Sequence, residues 1–117
     1  MKIAVVAITR HGIALAGKVA AALPGAQLFA PEKFRAEAEA ASSTAACYAG
    51  KTGDQIPALF EAFDGIVAVV SLGAVVRLIA PHLKSKDVDP AVVVLDEGGK
   101  FAIPILSGHL GGANALA

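Results

Sequence analysis

The 117 residues carry ten Lys and Arg against ten Asp and Glu, 56% hydrophobic types and one cysteine, which suits a single globular domain over 1–117 and excludes a disordered chain. Zero formal charge, with Arg10, Arg35 and Arg77 scattered singly, excludes the basic stripe that nucleic acid requires. Cys47 alone makes no internal disulfide and fits a reducing, cytoplasmic compartment, while no run approaches the ~18 apolar residues of a membrane span.

The first element, Lys2 to Ile8, is an unbroken β-branched run too short for a helix or a signal-peptide core. It predicts a strand covered on both faces. Thr9-Arg10-His11-Gly12 punctuates it, and Ile13, Ala16, Val19, Ala20 and Leu23 then recur at helical spacing until Pro24-Gly25. Ala26 to Ala30 predicts a second strand. Glu32 to Cys47 is polar and alanine-rich and reads as a weak helix leading into a mobile loop.

Gln55 to Phe63 predicts a short helix with Ile56, Leu59, Phe60 and Phe63 on one side, ended by Asp64-Gly65. Ile66 to Val70 predicts another buried strand, and Ser71-Leu72-Gly73 opens a helix carrying Val75, Val76, Ile79 and Leu83. That crossover length suits a parallel pair. Ala91 to Leu95, the turn Asp96 to Lys100, and Phe101 to Leu106 predict an antiparallel hairpin, with Pro104 favouring an edge or a bulge. The fold class expected is α/β: a mostly parallel, Rossmann-like three-layer sheet flanked by helices, with a C-terminal antiparallel hairpin. A last helix begins at Ser107 and still runs at Ala117.

Two strand-to-helix junctions, Thr9 to Gly12 and Ser71 to Ala74, sit where open α/β sheets bind ligands. Their helix N-termini offer unpaired N–H groups and partial positive charge to a carboxylate or phosphate, and Gly12 and Gly73 permit close approach. Ordinary caps and tight turns explain the same residues. Neither a P-loop nor GxGxxG occurs, so a nucleotide fingerprint is missing.

Ser107-Gly-His-Leu-Gly-Gly-Ala-Asn114 is unusual because glycines inside a helix cost about 1 kcal/mol each. Close approach of a backbone or a large flat ligand would compensate, with Ser107 as N-cap and His109 available for acid–base work; tight packing with a solvated His is the plainer account. Asp96-Glu97, between two apolar strands and followed by Gly-Gly, reads first as a solvated hairpin tip. Arg77 can clamp a carboxylate or pair with Asp87 or Asp89. The spacing of His11, His82 and His109 does not suggest a metal site, and GxSxG is absent. The hairpin also sends Asp96-Glu97 and Ser107-His109 to opposite sheet edges.

The stretch Gly73-Ala-Val-Val-Arg77-Leu-Ile-Ala-Pro81, then Asp89-Pro-Ala-Val-Val-Val-Leu-Asp96-Glu97-Gly-Gly and Ser107-Gly-His-Leu-Gly-Gly-Ala-Asn114, resembles the N-terminal region of the cobalamin-biosynthesis CbiG family. Ile8-Thr9-Arg10-His11-Gly12 and Ala30-Pro31-Glu32-Lys33-Phe34 are similar too, so the likeness spans nearly the whole chain. It implies the N-terminal domain of a longer enzyme, a cobalt-precorrin-5A hydrolase of the anaerobic route that opens the ring-A lactone and releases acetaldehyde, giving cobalt-precorrin-5B.

On that reading His109, Glu97 and Ser107 are the candidate catalytic groups. Arg10, His11, Gly12, Gly73, Arg77, Gly108, Gly111, Gly112 and Asn114 are candidate substrate contacts. No protein-held metal or organic cofactor is expected, the cobalt arriving with the substrate. The expected partners are the cobalt-precorrin and further domains of the same protein, with a homodimer as the self-association to consider and neither nucleic acid nor membrane. The competing readings are a tetrapyrrole-binding domain without catalysis of its own and a structural domain that docks through its last helix.

Overall fold

The computed structural model describes residues 2–85 and 88–106. These form one sheet in the order β3-β2-β1-β4-β5-β6, from β1 (Ile3–Ala7), β2 (Gln27–Pro31), β3 (Ala46–Tyr48), β4 (Gly65–Val69), β5 (Ala91–Leu95) and β6 (Ala102–Leu106). The first five strands are parallel and β6 alone is antiparallel. Alternating with them are α1 (Arg10–Ala22), α2 (Arg35–Ala41), α3 (Ile56–Ala62) and α4 (Leu72–Ile79). This is the expected mostly parallel three-layer sheet with its C-terminal hairpin.

Burial on both faces explains the unbroken apolar runs. Val5, Ala7, Val67 and Val69 point into a core with Ile13, Ala16 and Ala20 of α1 and Ala38 of α2. The alternate residues Ala4, Val6, Ile66, Ala68, Val92 and Val94 pack against Ile56 and Leu59 of α3 and Val75 and Ile79 of α4. Phe29 and Phe63 meet edge to face at 5.5 Å in the second layer, the arrangement that aromatic quadrupoles favour.

Some local expectations needed correction. The helix expected from Ile13 starts at Arg10, because Thr9 takes the N-cap conformation and its hydroxyl accepts the Gly12 N–H at 3.1 Å. Hydrophobic periodicity cannot register a first turn made of Arg10 and His11. The stretch expected to end in a loop at Cys47 runs instead into an edge strand, β3, whose three half-buried residues Ala46, Cys47 and Tyr48 pair with Phe29, Ala30 and Pro31. The helix expected to carry Val75, Val76, Ile79 and Leu83 ends at Ile79, and Leu83 lies beyond the 3-10 turn Ala80–His82; Val76 and Leu83 are 49% and 43% exposed while Val75 and Ile79 are buried. Pro104 lies, as expected, on the edge strand and beside a bulge: Val92 pairs with Leu106 and Val93 with Pro104, leaving Ile105 over. Among the described residues no helix is long and apolar enough to cross a membrane.

Candidate functional site at the sheet switch point

Strand order reverses between β1 and β4: the chain steps outward from β1 to β2 and β3, then returns to the other side of β1. A crevice forms outside the carboxyl ends of the strands at such a point. Thr9 follows β1, Ser71 follows β4, and Asp96-Glu97 follow β5, so all three junctions share one sheet edge.

The α1 junction is closed. Gly12 is buried, and a Cβ there would stand 3.0 Å from the Val69 carbonyl oxygen and 3.2 Å from the Thr9 hydroxyl. Its glycine therefore admits the strand of its own sheet. The Thr9 hydroxyl, besides capping Gly12, donates to Glu97 Oε2 at 3.0 Å across 88 residues. A carboxylate thus sits beside the α1 N-terminus, where the helix dipole favours it, and it belongs to the hairpin turn. Gly99, at φ +72°, lies in the same turn, and a Cβ there would stand 3.4 Å from Leu15 Cδ2 of α1. Arg10 Nε turns away to Glu37 at 2.9 Å, over the Phe34 ring, and His11 is exposed on the first turn.

The α4 junction is open. Ser71 caps it through a longer contact, accepting Ala74 N–H at 3.4 Å, and a Cβ on exposed Gly73 would meet nothing within 4 Å. Between this junction and the hairpin runs a groove of about 370 Å³ with Leu72, Val94, Phe101 and Ile103 as its walls and Ser71, Asp96 and Glu97 on its rim. Leu72, Phe101 and Ile103 are 42%, 66% and 42% exposed. A contiguous exposed apolar surface of this kind marks a binding face.

The two acidic residues of the turn divide their work. Asp96 Oδ1 accepts Phe101 N–H at 2.6 Å, and its carbonyl accepts Gly99 N–H at 2.9 Å, so it builds the turn. Glu97 is exposed and carries the contact to Thr9. Arg77 is exposed on the last turn of α4 and makes no ion pair among the described residues. Asp89, one of its expected partners, is buried and accepts the Lys84 N–H through both oxygens at 3.1 and 3.0 Å. Asp87, the other, lies outside the described residues.

The structure therefore brings Gly12, Gly73 and Glu97 to one edge. The motif residues Ser107, Gly108, His109, Gly111, Gly112 and Asn114 lie outside the described residues. β6 itself ends at Leu106, opposite Val92 near the start of β5 and thus at the far edge of the sheet. The apolar walls Phe101 and Ile103 were absent from the expected site. The signal that could have found them is their exposure on an edge strand beside a Gly-Gly turn. A larger depression of about 610 Å³, with Phe60, His82 and Asp89, lies between α3 and the 3-10 turn Ala80–His82, away from the strand carboxyl ends.

Comparison with known proteins agrees with this architecture. Residues 54–117 match the family described as cobalamin synthesis G N-terminal. The chain is 42% identical over 113 residues to a cobalt-precorrin-5A hydrolase of Priestia megaterium and 39% identical over 114 residues to one of Salmonella typhimurium strain LT2. Each alignment takes in 97% of this chain, which spans about 30% of the length of those curated relatives. A crystal structure of a cobalamin biosynthesis protein G homolog from Sulfolobus solfataricus superposes with a TM-score of 0.68 at 25% identity, over 99% of this chain and 32% of that one. With a family match over more than half its length and a neighbour of the same fold, the chain belongs to the cobalamin synthesis G N-terminal family.

Proposed function

We propose that the chain acts in cobalamin biosynthesis by gripping cobalt-precorrin-5A at the switch-point edge, as part of the hydrolysis of its ring-A lactone to cobalt-precorrin-5B with release of acetaldehyde. The observation that carries this reading is the groove between α4 and the hairpin. It has exposed apolar walls for the face of a macrocycle and the Thr9-held Glu97 carboxylate at its rim, and it adjoins the α4 junction where Gly73 stands open.

Chemically, water adds to the lactone carbonyl and the ring oxygen leaves as a hydroxyl on the two-carbon unit. Loss of that hydroxyl proton expels acetaldehyde, the electron pair of the broken C–C bond staying on the macrocycle. At this edge Glu97 takes these protons, backbone N–H groups at the open α4 N-terminus steady the developing oxyanion, and Arg77 anchors a peripheral carboxylate. Ser107 and His109 follow the far end of β6, and their expected oxyanion and acid–base roles are the alternative that a His109 variant decides. The cobalt enters as part of the substrate.

The test titrates the chain with cobalt-precorrin-5A while acetaldehyde is assayed. Leu72→Asp and Ile103→Asp, each placing a charge on an apolar wall, are expected to weaken binding by about tenfold or more with an unchanged circular dichroism spectrum. Wild-type affinity in both variants removes the groove from the site. If His109→Ala leaves lactone opening and acetaldehyde release at the wild-type rate, His109 is not the catalyst.

A second reading, a gripping domain whose relatives hold the catalytic groups elsewhere, is favoured by one fact: the chain matches about 30% of the hydrolases' length. Tight binding without acetaldehyde release selects it.

A further inference from the structure

On the other side of the switch point, the carboxyl ends of β1, β2 and β3 enclose a depression of about 500 Å³ whose lining includes Ile8, Lys33, Tyr48 and Lys51. We propose that it is a carboxylate-binding subsite that takes acidic arms of the macrocycle and so sets which way round the ring lies; the inference rests on the macrocycle reading above.

Charge is the first argument. The carboxylate on this lining, Glu32, is held by Arg35, whose Nε and Nη2 donate to its two oxygens at 2.6 and 2.5 Å. That bidentate pair keeps the Glu32 carboxyl below its usual range and leaves the ammonium groups of Lys33 and Lys51 unbalanced, since neither enters an ion pair among the described residues. Lys33 Nζ lies 5.1 Å from the Phe34 ring centroid.

Preorganisation is the second. The loop that carries Lys51 is tied from several sides. Gln55 Nε2 donates to the Ala49 and Lys51 carbonyls at 3.4 and 3.5 Å, the Tyr48 and Thr52 hydroxyls meet at 2.7 Å, and Gly50 supplies the left-handed turn at φ +80°. Burial pushes the Tyr48 phenol up, so it stays protonated and can donate to an anion. A loop fixed before binding spends less of its interaction energy on ordering.

Position is the third. Ile8 lines the depression, and the next residue, Thr9, holds Glu97 on the rim of the apolar groove. From β2 to β5 is three strand spacings, roughly 14 Å, a breadth that a tetrapyrrole with its side arms can bridge. The edge is thus polarised, with Lys33 and Lys51 at one end and Asp96 and Glu97 at the other. A polycarboxylate ring lies most favourably with its acid arms at the lysines, and an uncharged lactone ester is the part best tolerated beside Glu97.

The experiment uses uroporphyrin as probe, with the less carboxylated coproporphyrin beside it, titrated into the chain at low and moderate salt. Wild type is expected to bind uroporphyrin more tightly and to weaken as salt rises. The double variant Lys33→Ala/Lys51→Ala is expected to lose about tenfold in uroporphyrin affinity, most of the salt dependence and most of the preference over coproporphyrin. Lys18→Ala, on exposed α1 surface, should bind as wild type does. If the double variant keeps wild-type affinity and salt dependence, the subsite is wrong while the macrocycle reading stands. If wild type binds neither porphyrin, the macrocycle reading falls and the subsite falls with it.

Discussion

The two helix N-termini that flank the switch point start from similar sequence, a hydroxyl cap followed within three residues by glycine, and end in opposite states. At α1 the glycine is buried against the Val69 carbonyl, and the cap hydroxyl is committed twice, to Gly12 and to Glu97. At α4 the cap contact is long, and the space beside Gly73 is empty. A glycine after a parallel strand is therefore no indicator of a ligand by itself; what stands where its Cβ would be decides whether the fold or a guest uses the gap. The α1 junction is a structural joint. Its partner is the accessible one.

Three substitutions test this contrast. Gly12→Ala carries the largest expected effect, because a Cβ 3.0 Å from the carbonyl of a central strand forces backbone movement. Overpacking of this kind costs about 1–3 kcal/mol, partly offset by the gain in helix propensity, for a net loss of about 1–2 kcal/mol in denaturant unfolding. An unchanged midpoint would make the joint as loose as its counterpart. Thr9→Val keeps the shape but deletes the cap, and is expected to cost about 1 kcal/mol, with Thr9→Ser recovering most of it. A stability loss that serine leaves uncorrected would point to packing of the Thr9 methyl. The smallest effect belongs to Gly73→Ala, expected to raise stability by up to about 0.5 kcal/mol, as a helix former replaces glycine in open space. A loss there would show that α4 is as crowded as α1.

The same contrast marks how much could be read before the structure. β1, β4 and β5 were legible because strands buried on both faces leave unbroken apolar runs, and the hairpin was legible from Asp96 to Lys100 between two such runs. The edge strand β3 was not, since Ala46, Cys47 and Tyr48 are half buried and lie in an alanine-rich stretch that carries no period-two pattern. Both junctions could be named as candidates from strand-then-glycine spacing. Which was open could not, because the atom that fills the space at Gly12 comes from β4, more than fifty residues away. For the same reason the sequence at Asp96-Glu97 shows only a solvated hairpin tip: Glu97 is exposed, as a tip should be, but its partner Thr9 lies at the opposite end of the chain.

That separation has a kinetic side. The Thr9–Glu97 hydrogen bond closes a loop of 88 residues, and β1 pairs with β4 only after the excursion through β2 and β3. Contacts of such range repay their closure entropy late, and parallel pairing of this kind slows folding. The joint beside the groove therefore cannot close on a nascent chain until residue 97 has been made. Between a half-buried threonine and an exposed glutamate, this contact is also expected to be among the first to open in native-state fluctuations. A molecule that bridged the two sides of the edge would hold shut the part of the fold that sets last.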